Sequence, residues 1–220
     1  MSFQTAAYLR KATLRAKSDV ANKLVSMFLH GVSRKISASL EVNVTDRRYT
    51  DSLVAKFGSS CCYCGKHLED DRASVEHPDG MNRFRAGLHI PGNVVVACKK
   101  CNNEKRRDDQ LRELKLAKSG WASFLSHDST KCRDECKTCK YWKGVWPDDR
   151  QRVKNLKDAC NRIAEFRVEH EQAIRLNEIA QPLLHKELEK IYRECQAFAT
   201  NCIKESVDNV IAGLPDRVHP

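Results

Sequence analysis

Apolar residues recur at three- and four-residue steps at both ends of the chain, which predicts helices there. Within residues 1–40 the series is Val20, Leu24, Met27, Phe28, Val32, Ile36 and Leu40, one or two amphipathic helices with a break near Gly31. Thr45 and Asp46 offer side-chain oxygens to cap a short helix running through Leu53, Val54 and Phe57 to Gly58. From Asp148-Asp149 the pattern returns as Val153, Leu156, Cys160 and Ile163. Pro182 suits a first helical turn, and Leu184, Leu188, Ile191, Cys195, Phe198 and Cys202 then form one stripe that Gly213-Leu214-Pro215 stops. The expected result is a helical hairpin, whose spacing suits either a core-facing stripe or the seam of a homodimer.

The middle of the chain reads differently. Ala73-Ser74-Val75-Glu76-His77 is a short strand that ends at the turn Pro78-Asp79-Gly80. Pro91-Gly92 marks a second turn, and Asn93-Val94-Val95-Val96-Ala97 is the most strand-like run of all. Asn102 can start a helix carrying Lys105, Arg106, Arg107, Leu111 and Leu114. The expected class is therefore α+β and mostly helical. Its segments are an N-terminal helical region (1–57), a β-turn-β-helix module (58–115), a loop region rich in Cys and Trp (116–147) and a C-terminal hairpin (148–214).

Composition narrows the picture. Hydrophobic residues make up 41%, ordinary for a folded chain, and no apolar run is long enough to cross a bilayer. The basic opening is followed by no apolar stretch of the kind a secretory signal needs, so a cytoplasmic setting without membrane attachment is expected. Net charge is +10, unevenly spread. Residues 1–60 hold ten basic and four acidic groups, 61–150 hold eighteen and fourteen, and 151–220 hold eleven of each. All the excess sits on the first two thirds of the chain, with the cysteine pairs, a bias that a phosphate-rich partner would explain.

Eleven cysteines in such a setting argue for metal ligation rather than disulfides. Cys61/Cys64 and Cys98/Cys101 are two Cys-x-x-Cys pairs, suited to a closed tetrahedral Zn2+ site. The 33 residues between them exceed the roughly 15–20 of simple zinc ribbons, so folded structure must fill the gap. Cys132, Cys136 and Cys139 form a second group that lacks a fourth ligand, for which either His127 or Cys160 is in reach. Between the first two pairs lie Glu76, His77 and Asn93, and Asn102 follows the last cysteine. Carboxylate and amide oxygens suit a hard cation, Mg2+ or Mn2+, and a histidine suits a general base.

Cys61-Cys62-Tyr63-Cys64-Gly65, Glu76-His77 and Asn93 through Lys105, including Cys98-Lys99-Lys100-Cys101-Asn102, resemble the zinc-containing branch of the HNH (ββα-metal) endonucleases, over about residues 59–107. In that family an acidic residue precedes the catalytic histidine, an asparagine opens the second strand, and a His or Asn nine residues later starts the helix. The resemblance implies His77 as the base and Glu76 and Asn102 as ligands of the catalytic cation. It also implies that Asn93 is not a ligand but bonds backbone near His77. Glu is less usual than Asp at the acidic position. Asp79 is an additional candidate ligand, and His89 is expected to sit passively beside Pro91.

Arg83, Arg85, Lys99, Lys100, Lys105 and Arg106 are expected to bind the DNA backbone flanking the cut. The function implied is a metal-dependent DNA endonuclease, of restriction or phage-defence type. The alternative is a non-catalytic, zinc-stabilised nucleic-acid-binding protein.

Overall fold

The computed structural model describes residues 2–68, 73–108, 120–130, 132 and 136–213, and for 2–18 and 106–108 it describes the backbone alone. The elements in order are helices α1 (Ser2–Ser39) and α2 (Arg47–Lys56), strands β1 (Ala73–Glu76) and β2 (Val95–Cys98), then α3 (Lys99–Asp108), α4 (Gly120–Leu125), α5 (Lys137–Val145), α6 (Asp149–Val168) and α7 (Glu171–Ala212). The class is α+β and mostly helical, as expected. No helix among the described residues is long and apolar enough to cross a membrane.

The chain divides into two compact units, one of Leu29–Gln181 and one of Met1–Phe28 with Pro182–Pro220. The division falls inside α1 and α7. Residues 58–115 and 116–147, separate segments by sequence, lie in the same unit.

In the unit of Met1–Phe28 and Pro182–Pro220, Ala21, Val25, Leu184, Leu188 and Cys195 are buried. The expected stripe on α1 is corrected here. Val20, Leu24 and Met27 are 51%, 41% and 58% exposed, while Ala21 and Val25 face inward. Small residues carry this face, which a search for large apolar side chains overlooks. Nor does α1 break at Gly31. One glycine costs about 1 kcal/mol in a helix, too little to end a long one. Pro182 likewise lies inside α7 rather than in a first turn. It removes one backbone donor, and the helix continues on either side. Phe198 is 71% exposed and Cys202 is also exposed, so the predicted stripe on α7 ends at Cys195.

The unit of Leu29–Gln181 is built around β2. Val94, Val95, Val96 and Ala97 are all buried, so this strand is covered on both faces and reads as a continuous apolar run. β1 pairs with it antiparallel, Ala73 opposite Cys98 and Glu76 opposite Val95. Leu53, Tyr63, Phe124, Trp142, Leu156 and Ile163 complete the core. Helix α2 begins as expected, with Asp46 Oδ1 accepting from the Arg48 amide at 2.9 Å, a cap for an otherwise unsatisfied donor. α3 starts three residues before the expected Asn102, so Cys101 and Asn102 lie in its first turn. Leu111 and Leu114 lie outside the described residues.

α6 is capped as its sequence suggests, Asp148 Oδ1 accepting from the Gln151 amide at 2.7 Å. Its inward face is Arg152, Leu156, Ala159, Ile163 and Phe166, and Val153 points out. Arg152 is 1% exposed. Its guanidinium donates to the carbonyls of Asp128 (3.2 Å), Trp146 (2.9 Å) and Pro147 (3.2 Å) and pairs with Asp149 at 2.6 Å. It thus ties the loops on both sides of α5 to α6. Replacing it with Met leaves those carbonyls without their donor. The expected loss is about 2–5 kcal/mol, read as a lower urea midpoint at unchanged slope.

Candidate metal centres and the His77 site

The first cysteine pair sits in a tight knuckle. Ser60 and His67 form an isolated bridge, the Cys61 amide donates to Lys66 O at 2.8 Å, and the Gly65 amide returns to Cys61 O at 2.9 Å. Gly65 has φ +68, a left-handed conformation that a side chain would strain. The second pair spans the end of β2 and the first turn of α3, where the Cys101 amide donates to Cys98 Sγ at 3.4 Å. The Cys62 amide donates to Val96 O at 3.0 Å, which joins the first knuckle to β2. Cys61, Cys64, Cys98 and Cys101 have sulfurs within 4.8 Å of one another. The Cys64–Cys98 separation is 3.8 Å, close to the edge of about 3.8 Å for a tetrahedron with Zn–S bonds near 2.3 Å.

The electrostatics of this cluster ask for a cation. Cys61 is held far below an ordinary thiol by hydrogen bonds from Cys101 and from Cys62, Cys64 and Cys98. The cost falls on a partner: Cys101 is pushed up, first by its bond to Cys61 and then by burial. Cys98 is also lowered, to about 7, first by its bond from Cys101, so protons alone leave the four sulfurs in unequal states. A divalent metal such as zinc replaces those protons and lets four thiolates coexist. Cys62, buried and raised by desolvation, stays outside the cluster, as its spacing predicts.

The second group closes with His127. His127, Cys132, Cys136 and Cys139 have ligand atoms within 4.8 Å of one another. His127 Nδ1 lies 3.1 Å from Cys136 Sγ and 3.4 Å from Cys132 Sγ, and the two sulfurs are 3.7 Å apart. Of the two fourth ligands left open by sequence, Cys160 is the one excluded: it is half-buried on α6 and raised by desolvation. Cys136 also caps α5, accepting from the Cys139 amide. Both clusters can hold a structural metal such as zinc.

α5 connects the two. Tyr141 places its hydroxyl 2.9 Å from Cys101 Sγ. Burial first, then the neighbouring Cys101, pushes that phenol up, and either group can be the donor in this contact. Trp142 is buried, donates from Nε1 to Phe124 O at 2.9 Å and stacks on Trp146. Tyr141 carries no motif that would mark it as a neighbour of the metal; only the helix geometry reveals it.

His77 follows β1 and is half-buried. Asn93 fixes the chain just beyond it. Its Oδ1 accepts from the Asp79 amide (2.7 Å), and its Nδ2 donates to the carbonyls of Asp79 (3.0 Å) and Leu88 (2.8 Å). Gly87 makes this fold possible, since a Cβ there would meet Asp79 O at 1.8 Å. Asp79, a candidate ligand by sequence, instead pairs with Arg167 at 2.7 Å. Arg167 also donates to Gly92 O at 3.3 Å.

His89 is not the passive neighbour of Pro91 that was expected. Its Nδ1 lies 2.8 Å from His77 Nε2, so one proton is shared between the two rings. The His89 amide donates to Ser33 Oγ at 2.8 Å, and the His30 ring lies 5.5 Å from that of His89.

Glu76, the acidic residue expected beside the catalytic cation, is buried and paired. It is 5% exposed. Lys105 Nζ donates to its Oε1 (2.7 Å) and to His77 O (2.7 Å), and the Tyr63 hydroxyl donates to its Oε2 (2.5 Å). Asn102 Nδ2 donates to Ser74 Oγ at 3.2 Å. Lys105, expected on a phosphate-binding surface, is 2% exposed because it neutralises this carboxylate. Arg85, expected there too, is 7% exposed, packed near Gly120. Lys99 and Lys100 are exposed, and Arg83 lies over the Phe84 ring at 4.2 Å. The Arg106 side chain lies outside the described residues.

Metal analysis of the purified protein is expected to give two zinc ions per chain, and His127→Ala about one, with the first cluster retained. The His89 environment predicts a pH effect. Burial, then His30, lowers its pKa below the usual 6.5, so folding favours the neutral ring. The stability this represents is fully present above the unfolded pKa of about 6.5 and is lost as pH falls through the lower folded value. The difference in urea midpoint between wild type and His89→Gln is expected to shrink from pH 7.5 toward pH 5.

Comparison with known protein families, with curated proteins and with solved structures finds no match for this chain.

Proposed function

We propose that the chain is a metal-dependent endonuclease that hydrolyses DNA phosphodiester bonds with HNH chemistry. The observation that carries this reading is the fixed His77. Asn93 clamps the backbone two residues beyond it, and His89 bonds its Nε2. A base so held keeps its ring in one orientation and within reach of one water position.

In the reaction, the imidazole of His77 takes a proton from water, and the water oxygen forms a bond to phosphorus. The bond from phosphorus to the 3′ oxygen breaks, leaving a 5′ phosphate and, after protonation, a 3′ hydroxyl. Mg2+ or Mn2+ held by Glu76 and Asn102 would supply charge stabilisation at the scissile phosphate. The donor types fit a hard cation, and a carboxylate oxygen carries more than one acceptor site. Exposed Lys99 and Lys100 would bind the flanking backbone. Two copies paired through the exposed apolar residues of α7, such as Phe198 and Val210, would cut both strands.

One observation favours the non-catalytic alternative: both oxygens of Glu76 already have partners. A plasmid-relaxation assay with Mg2+ separates the readings. Wild type is expected to cut, and His77→Ala to cut at least about 100-fold more slowly, with metal content unchanged. His89→Ala is expected to lower kcat with little change in KM, since it orients the base without touching DNA. Equal rates for wild type and His77→Ala would remove the enzyme reading.

A further inference from the structure

A cavity of about 960 Å3 opens beside Asn102 in the unit of Leu29–Gln181. Three cations line it, Lys66, Lys99 and Lys100, all exposed, and among its described lining residues there is no carboxylate. Tyr141 and Trp146 form its aromatic wall. Both rings are braced from behind: the Tyr141 hydroxyl meets Cys101 Sγ, and Trp146 stacks on buried Trp142 with ring planes 14° apart. Lys100 Nζ stands 5.6 Å from the Tyr141 ring centre. Among the described lining residues the three lysines outnumber the two cluster sulfurs, Cys64 and Cys98, that share the wall, which favours an anionic occupant. Braced aromatic rings select flat, stackable groups. One polymer offers both at regular intervals.

From this cavity we infer that the protein binds unpaired DNA nucleotides, with bases stacked at Trp146 and phosphates on Lys66, Lys99 and Lys100. The inference rests on the nuclease reading for its geometry, because Asn102 at the rim makes the occupant the strand next to the cut. A closed duplex cannot fill the site, since its bases are stacked on one another and present no face to Trp146. The substrate class this implies is DNA with an unpaired stretch at or beside the scissile phosphate, such as a single strand, a flap or a junction.

The test uses full-length His77→Ala protein without added Mg2+, so that binding is read apart from cutting. Fluorescence anisotropy would follow labelled oligothymidylate, a blunt hairpin duplex of equal charge and oligouridylate. Oligothymidylate is expected to bind more tightly than the duplex. Trp146→Ala in this background is expected to weaken it about tenfold and to leave the duplex unchanged. Lys99→Glu, at an exposed position, is expected to weaken it and flatten its salt dependence. The inference is overturned if neither substitution alters oligothymidylate binding, if the duplex binds as well and loses as much, or if only the RNA binds. Binding of this pattern by a wild-type protein that never cuts would sink the nuclease reading and leave the cavity assignment standing. Cutting by wild type, with oligothymidylate binding indifferent to Trp146 and Lys99, would do the reverse.

Discussion

Four sulfurs gathered within 4.8 Å are the constraint on which the remainder of the larger unit depends. Thiols so close cannot all ionise, and the opposed shifts of Cys61 and Cys101 express that conflict. A bound divalent metal removes it, and its binding free energy becomes folding free energy, on the order of 10 kcal/mol in small zinc peptides. The knuckle at Cys61 and the start of α3 are held by this cluster as much as by packing. The second cluster extends the same logic. It anchors the start of α5, and α5 delivers Tyr141 to a sulfur of the first cluster and Trp142 to the core.

Polar groups then position His77. The chain between β1 and β2 has little secondary structure of its own, and Asn93, Arg167 and Ser33 satisfy its backbone and side chains. Each is a buried or partly buried bond whose loss would strand a partner. Gly87 matters for the same reason, since any larger residue would push the Asp79 carbonyl off the Asn93 amide. The result is a loop held in one shape by side-chain hydrogen bonds instead of by a ladder.

Much of this was legible in the chain. The Cys-x-x-Cys spacing located the sulfurs that can hold a metal, Asp46 and Asp148 located helix starts, and the run Val94-Val95-Val96-Ala97 located the central strand. What escaped shares a physical cause. The inward face of α1 is carried by Ala21 rather than by its large neighbours, and the Pro182 helix runs on because a single lost donor does not end a long helix. Arg85 and Lys105 were assigned to the surface because isolated cations usually lie there. Their burial depends on partners distant in sequence, as Lys105 on Glu76 shows. His89 and Tyr141 were likewise invisible, since only the fold brings them to His77 and Cys101.

The Glu76–Lys105 pair sets the sharpest tension in the molecule. Both side chains are almost fully buried, 5% and 3% exposed, and a buried carboxylate without its ammonium would be strongly destabilising. The carboxylate at position 76 is thus already neutralised by its partner. A hard cation at the same carboxylate brings a second positive charge into a space of low polarisability, where repulsion from the Lys105 ammonium is large. For both to be accommodated, a further negative group must enter with the ion. A scissile phosphate is such a group. On the nuclease reading, metal and substrate would then bind cooperatively, each weak alone, because only together do they balance the charge that Lys105 contributes.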